Sequence, residues 1–269
     1  MTASIHEWAS IDPSARLADD VEVGPFCVIG ADVVIGPGSV LANHVTVLDR
    51  VHMGSGNTVY PYAVLGGLPQ VKGIDPGDGA LTIGDGNVFR EYATVNVGVA
   101  QYGGLTEVGS DGLFMACSHV AHDCTIGNDV VLGNAVLLGG HITVGDGAYL
   151  CGAAAAHHFT RIGRLAYVGG MSRIVHDIPP FMKVEGSPAK VRALNDIGLR
   201  RHGFEDGRID ALWRAYRLIW RSDDPRSAVL KRIENDPAAT EDVRELTAFL
   251  RQAEEGRHGR ANEGKRERS

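Results

Sequence analysis

Long apolar runs, paired cysteines and a basic excess are what this 269-residue chain lacks. No apolar stretch approaches the ~20 residues a helix needs to span a bilayer. The opening Met1-Thr2-Ala3-Ser4-Ile5-His6-Glu7 carries neither the basic nor the apolar region of a secretory signal. The four cysteines, Cys27, Cys117, Cys124 and Cys151, fall singly with no C-x-x-C pair. That is the usage of a reducing compartment, where Cys is a small apolar filler. A formal net charge of −7 argues against bulk nucleic-acid binding. These absences predict a soluble, cytoplasmic protein with no transmembrane segment and no nucleic-acid partner. Aromatics are 6% and prolines 11, yet glycine stands at 35 with no period of three. Collagen is excluded, and many tight corners are indicated.

What the chain does have is a six-residue ladder. Steps of six from Ile11 fall on Leu17, Val23, Ile29, Ile35, Leu41, Val47, Met53, Val59 and Leu65. The same register resumes at Ile83, Phe89 and Val95, and a run displaced by one extends from Val108 through Val120, Leu138 and Ala156 to Ile174. All 25 positions are apolar, where the 44% apolar composition would place about 11. A period of six fits neither a 3.6-residue helix nor strand alternation. It fits short strands with a turn after each, so that three successive repeats close one triangular coil and the ladder fills the prism. Gly follows the ladder residue at 13 positions, supplying either a positive φ or a close approach at the corners. Stacked coils then pair as parallel sheets about 4.8 Å apart. The period does not set the handedness.

Residues 67–82 and 97–106 interrupt the ladder and are expected to be loop insertions; loops of this length inside a tight repeat are usually functional. The ladder fades at Ile178-Pro179-Pro180. Beyond it Ile209, Leu212, Trp213, Tyr216, Ile219 and Trp220 follow helical spacing, with two further helices expected around Ala228–Asn235 and Thr240–Glu254. The expected organisation is a mainly β repeat domain over 1–190, an α-helical domain over 191–255, and a charged, disordered tail over 256–269.

Coil arithmetic gathers the histidines. Val120, Leu138 and Ala156 stack in one column; relative to it His119 sits at −1, His122 and His158 at +2, His141 at +3 and His157 at +1. Five histidines thus collect beside one edge of the prism on three successive coils, and Asp123, at +3, lies directly below His141. Two chemistries suit such a cluster. Three imidazoles could bind Zn²⁺ with an open position, or one neutral imidazole could act as general base, its tautomer held by a carboxylate such as Asp123. With no cysteine pair to support a metal site, the base is favoured.

The string Ser118-His119-Val120-Ala121-His122-Asp123-Cys124-Thr125-Ile126-Gly127 resembles the signature of the UDP-N-acetylglucosamine acyltransferase family of lipid A synthesis. The resemblance extends through Gly103–Asp111, Gly139-Gly140-His141, Val168-Gly169-Gly170, Gly203-Phe204 and the Tyr216–Ser222 helix, nearly the whole chain outside the tail. It implies a left-handed parallel β-helix, a homotrimer with sites at the subunit clefts, and transfer of a 3-hydroxyacyl group from acyl carrier protein to a UDP-sugar. No cofactor is implied beyond the phosphopantetheine that carries the acyl group. By motif position His122 resembles the general base, Asp123 its orienting partner and Gly140 the backbone donor to the oxyanion. His119, His141, His157 and His158 fall at cleft positions, Gln70 and Lys72 in the sugar-binding loop, and Asn195 and Arg201 at nucleotide contacts. Gly170 falls where the family gauges acyl length, and a Gly there leaves room for a longer chain.

The sequence also departs from that family. The sugar-binding loop reads Gln70-Val71-Lys72 without its usual Asp, a His-Arg-Gly-Thr segment appears as Asn96-Val97-Gly98-Val99, and Ile197, His202 and His158 replace an acid, an Arg and a Gln. These changes lie on the acceptor side, so the acceptor sugar is either the 3-hydroxy or a 3-amino form. Residues 161–202 carry eight Lys and Arg against three acids, read either as a solvated face or as a surface for an acidic carrier protein and a pyrophosphate. Three alternatives remain open at this point: an acetyl-CoA-dependent sugar acetyltransferase, suggested by Gly186-Ser187-Pro188-Ala189; a γ-carbonic-anhydrase-like zinc protein; and a scaffold that has lost turnover.

Overall fold

The structure, a computed structural model, describes residues 3–263 apart from Ile74 and Pro76. Ladder residues close their short strands, because a turn follows almost at once; Leu65 and Val95, at the two interruptions, are the exceptions. The strands fall in rotation onto three sheets. The first, of 11 strands, runs from Ser4–Ile5 to Lys190–Leu194; the second, of nine, from Ser10–Ile11 to Arg173–Ile174; the third, of eight, from Arg16–Leu17 to Arg161–Ile162. Pairing is parallel and offset by one coil, as in Ile11↔Ile29 and Ile29↔Val47. The fold is a left-handed parallel β-helix, mainly β, with a helical C-terminal region. Ladder side chains fill the prism, and Phe89 and Phe114 stack inside it with centroids 4.6 Å apart.

Glycine after the ladder residue serves close approach. A Cβ on Gly36 would lie 2.6 Å from the Gly54 carbonyl carbon, and one on Gly24 would lie 2.9 Å from that of Ala42. Gly66 apart, with φ of 84°, positive φ occurs instead at a later turn position, and mostly at other residue types: Phe26, His44, Tyr62, Asp123 and His141 all have φ of 58° to 65°. The tight stacking of coils, rather than turn dihedrals, therefore accounts for the Gly that trails the ladder everywhere but at Gly66.

Both interruptions leave the second sheet and rejoin the third. After Val64–Gly67 the chain returns at Ala80–Ile83, where Ile83 pairs with Met53, a longer step along the chain than a regular coil. After Thr94–Asn96 it returns at Leu105–Val108, where Val108 pairs with Ile83, again across more than one regular coil. Both excursions thus emerge from the edge between the second and third sheets.

Beyond the coils, Met182–Glu185 and Lys190–Leu194 form an antiparallel hairpin that the ladder did not foretell. Among the described residues four helices follow: α1 (Asp196–Arg201), α2 (Asp206–Arg221), α3 (Arg226–Glu234) and α4 (Glu241–Glu255). The apolar stripe lies on α2, whose Ile209, Leu212, Tyr216 and Ile219 are buried in a second core with Phe181, Leu230 and Leu246. The tail needs correction. Residues 256–263 are packed against the prism rather than disordered. The Arg260 guanidinium donates to the Val175 carbonyl at 2.7 Å and pairs with Glu263, and Asn262 reaches Thr143 Oγ1 at 3.1 Å. Charge in this tail thus serves buried pairing, which composition alone does not distinguish from solvation. The remainder of the expected tail, 264–269, lies outside the described residues. No helix is long and apolar enough to cross a membrane among the described residues.

Candidate active site

The histidine column forms as the register demands, with Val120 paired to Leu138 and Leu138 to Ala156 on the second sheet. The turns after these strands carry His122, His141 and His158 to the same edge as the two excursions. Asp123, His141 and Phe159 take the left-handed turn position, with φ of 58°, 61° and 65°. A non-glycine residue there needs support. The Asp123 N–H donates to Thr106 Oγ1 at 2.8 Å, and the His141 N–H donates to the His122 carbonyl at 3.0 Å.

His122 Nδ1 lies 2.6 Å from Asp123 Oδ2, with only 12% and 5% of the two side chains exposed. An ionised carboxylate can only accept, so the proton sits on Nδ1 and Nε2 offers its lone pair. The other carboxylate oxygen, Oδ1, accepts the Val99 N–H at 3.1 Å. The His122 ring rests on Gly140, where a Cβ would come within 2.7 Å of Cε1 and Nε2. Gly140 accepts the Phe159 N–H at its carbonyl, while its own N–H meets no protein acceptor among the described residues. A base with a free lone pair beside an unused backbone donor suits attack on a carbonyl, with a donor for the resulting oxyanion.

The surrounding rings are fixed by stacking. His141 lies flat on Phe159 at 4.5 Å and meets His122 and Tyr102 edge-on at 5.0 and 5.1 Å. His119 hydrogen-bonds Thr94 Oγ1 at 2.8 Å, and its pKa falls below the ordinary imidazole value, first through burial and second through electrostatic interaction with the neighbouring His122. His157 and His158 pack with centroids 3.8 Å apart, His157 Nδ1 donating to the His158 carbonyl at 3.0 Å. Burial pushes the neighbouring Cys124 thiol up to about 12, which removes it as a nucleophile.

Among the described residues, the group that could hold a metal is His122, Asp123 and His141, whose candidate ligand atoms lie within 4.8 Å of one another. Tetrahedral zinc with bonds of about 2.0–2.1 Å needs ligand atoms roughly 3.3 Å apart. The His141 ring is held by Phe159 and Tyr102 against such a contraction. The geometry fits a proton-sharing dyad better than a cation site.

The other expected residues are not all brought to this edge. Gln70 and Lys72 are exposed on the first excursion, so they share it. Gly170 follows Tyr167–Val168 on the first sheet and belongs to the edge between the first and second sheets. Asn195 caps α1, accepting the Gly198 N–H and donating to the Leu165 carbonyl, at the turn that follows the third sheet. Arg201 is exposed at the end of α1. The candidate residues of one chain thus occupy three different edges of the prism.

Of the eight cations in 161–202, Arg161, Arg164, Arg192 and Arg200 pair with Asp177, Asp242 and Glu245, Glu185 and Asp206 respectively. That surface is less basic than the sequence count suggested. Sequence reasoning also missed Thr94, Val99, Tyr102, Thr106 and Phe159. Phe159 and Thr106 could have been placed by column arithmetic, since each stacks on a known register. Val99 acts through its backbone and left no signal in residue type.

Comparison with known proteins bears on the whole chain. Residues 177–259 match the family model described as UDP-N-acetylglucosamine O-acyltransferase, domain 2, and residues 14–49 match the bacterial transferase hexapeptide repeat. The acyl-[acyl-carrier-protein]–UDP-N-acetylglucosamine O-acyltransferase of Stenotrophomonas maltophilia strain R551-3 is 42% identical over 93% of this chain and 95% of its own length. The enzyme of the same name from Rhizobium rhizogenes is 40% identical over 93% and 92%. Among solved structures, the UDP-N-acetylglucosamine acyltransferase of Bacteroides fragilis superposes with a TM-score of 0.89 at 35% identity, covering 92% of this chain and 96% of that one.

Proposed function

The chain belongs to the acyl-[acyl-carrier-protein]–UDP-N-acetylglucosamine O-acyltransferase family, and on that footing we propose that it moves a 3-hydroxyacyl group from acyl carrier protein to the 3-position of a UDP-amino sugar. This is the first step of lipid A synthesis, placed in the cytoplasm. The observation that carries the reading is the His122–Asp123 dyad, 2.6 Å across, seated against the Gly140 backbone. His122 Nε2 takes the proton of the sugar's 3-hydroxyl or 3-amino group as that atom attacks the thioester carbonyl. The carbonyl oxygen becomes an oxyanion facing the Gly140 N–H. The carbon–sulfur bond then breaks, and the imidazolium returns its proton to the phosphopantetheine sulfur. Asp123 keeps Nδ1 protonated and the ring aimed throughout. No further cofactor enters the step.

The acetyl-CoA alternative is disfavoured because the relatives match across the helical region as well as the repeat. The zinc alternative is disfavoured by the ligand spacing described above. Neighbouring residues support subsidiary roles: His119, His141, His157 and His158 contact sugar or donor, and Gln70 and Lys72 approach the sugar from the first excursion. Gly170 admits the acyl chain, and Asn195 and Arg201 meet the nucleotide. These groups sit on three edges of one prism, so a complete site draws on more than one copy, as a homotrimer supplies. An exposed column of stacked rings supports the same assembly: Trp8, Phe26, His44, Tyr62 and Tyr92 follow one another with centroids 4.9 to 5.2 Å apart along the first–second edge.

The test is mass spectrometry of products from 3-hydroxyacyl carrier proteins of several lengths offered with UDP-N-acetylglucosamine and its 3-amino analogue. We expect one mono-acylated UDP-sugar, an ester or an amide according to the acceptor. Acetylation from acetyl-CoA, or no transfer to either sugar, would overturn the assignment.

A further inference from the structure

The second excursion returns a backbone group to the dyad. Oδ1 of Asp123 accepts the Val99 N–H at 3.1 Å, while Oδ2 faces His122 Nδ1 at 2.6 Å and the Asp123 N–H is tied to Thr106 Oγ1 at 2.8 Å. The Asp123 side chain is 5% exposed, so almost no water competes for these oxygens. The excursion is itself tightly determined. Gly98 approaches so closely that a Cβ there would lie 2.1 Å from the Leu105 nitrogen. The Gly98 N–H is spent on the Ala80 carbonyl, and the Val99 carbonyl accepts from both Tyr102 and Gly104. Tyr102, on the same turn, meets the His141 ring edge-on at 5.1 Å. The loop thus reaches both Asp123 and His141, yet touches Asp123 through one donor only.

We propose that the Val99 backbone N–H is a positioning group for acyl transfer: it fixes the rotation of the Asp123 carboxylate so that Oδ2, and only Oδ2, addresses His122 Nδ1. The inference rests on the His122 reading given above and assigns the 97–104 excursion a mechanical role in it. A buried carboxylate oxygen stripped of its donor turns to find another, and His122 loses its fixed orientation. A charge-assisted bond of this kind lies in a range worth about tenfold or more in rate when its loss falls on the transition state.

Val99→Pro removes the N–H and leaves the Val99 carbonyl that Tyr102 and Gly104 use. The φ of −107° must shift toward the roughly −65° of proline, so melting is recorded beside the kinetics. Val99→Ala keeps the N–H. We expect Val99→Pro to lower kcat about tenfold with KM little changed, and Val99→Ala to stay near the parent. In an Asp123→Asn background the proline should cost little further, because both changes act on one link. Equal rates for Val99→Pro and Val99→Ala, or the same proline penalty with and without Asp123, would overturn the proposal. His122→Ala is assayed alongside. If it keeps the parental rate, the base assignment itself falls; if it is inactive while the proline variant matches the alanine variant, only the positioning role falls. Hydrogen exchange covers the case in which the proline variant does not fold. In Asp123→Ala the peptide spanning 97–104 should exchange faster at one amide, and unchanged exchange there would equally overturn the proposal.

Discussion

At the scale of single residues, Gly140 is the position where a small change should have the largest local effect. Its N–H meets no protein acceptor among the described residues, and the His122 ring occupies the space a side chain would need, 2.7 Å from an added Cβ. Gly140→Ala therefore pushes the imidazole away from the dyad geometry while leaving the ladder residue Leu138 in place. We expect kcat for acyl transfer to fall at least about tenfold, as misplacing a catalytic group by a fraction of an ångström does. Steady-state kinetics with thermal melting checks this, since a fall in stability with an unchanged kcat would assign Gly140 to packing alone. His141 and Phe159 show a related constraint. Both hold left-handed turn positions, which histidine adopts more readily than most residues but a bulky phenylalanine rarely does, so at Phe159 the coils on either side impose it.

At the scale of elements, the coils were legible and the connections between them were not. A strict six-residue spacing states which residue points inward, so the core, the three sheets and the histidine column follow from counting. The column forms because each regular coil holds three repeats and parallel pairing transmits that register without slip, as Val120↔Leu138 shows. Three things escaped the counting. The trailing glycines did not reveal which of two backbone needs they meet, since both leave the same residue type. The hairpin of Met182–Glu185 and Lys190–Leu194 has no period to find. The 97–104 excursion contributes a backbone N–H, which any non-proline residue could supply. Asn195 is a fourth case of mixed legibility, because a side chain expected at a nucleotide also caps α1 and ties it to Leu165. Its loss would disturb the helix along with any ligand.

At the scale of the whole molecule, the distribution of the proposed site residues over three edges bears on the proposed assembly. His122 stands between the second and third sheets, Gly170 between the first and second, and Asn195 and Arg201 beyond the third. A prism cannot bring its own three edges together. If neighbouring copies complete each site, subunits defective at different edges should rescue one another. Assemblies formed by co-refolding His122→Ala with Arg201→Ala subunits are expected to recover a fraction of parental turnover, while each variant alone stays low. Mixed assemblies no more active than the variants would mean that each copy works by itself. Light scattering on the parent protein supplies the mass against which the mixture is judged, with three copies expected.

Every step of the mechanism depends on His122 as the group that takes the acceptor's proton. The direct measurement is kcat and KM of His122→Ala for 3-hydroxyacyl transfer from acyl carrier protein to the UDP-sugar, on protein shown to keep its melting temperature and mass. General-base catalysis of this kind contributes about 10²- to 10⁴-fold, so kcat should fall by that order while KM stays close to the parental value. A His122→Ala enzyme that turns over at the parental rate would contradict the mechanism at its centre.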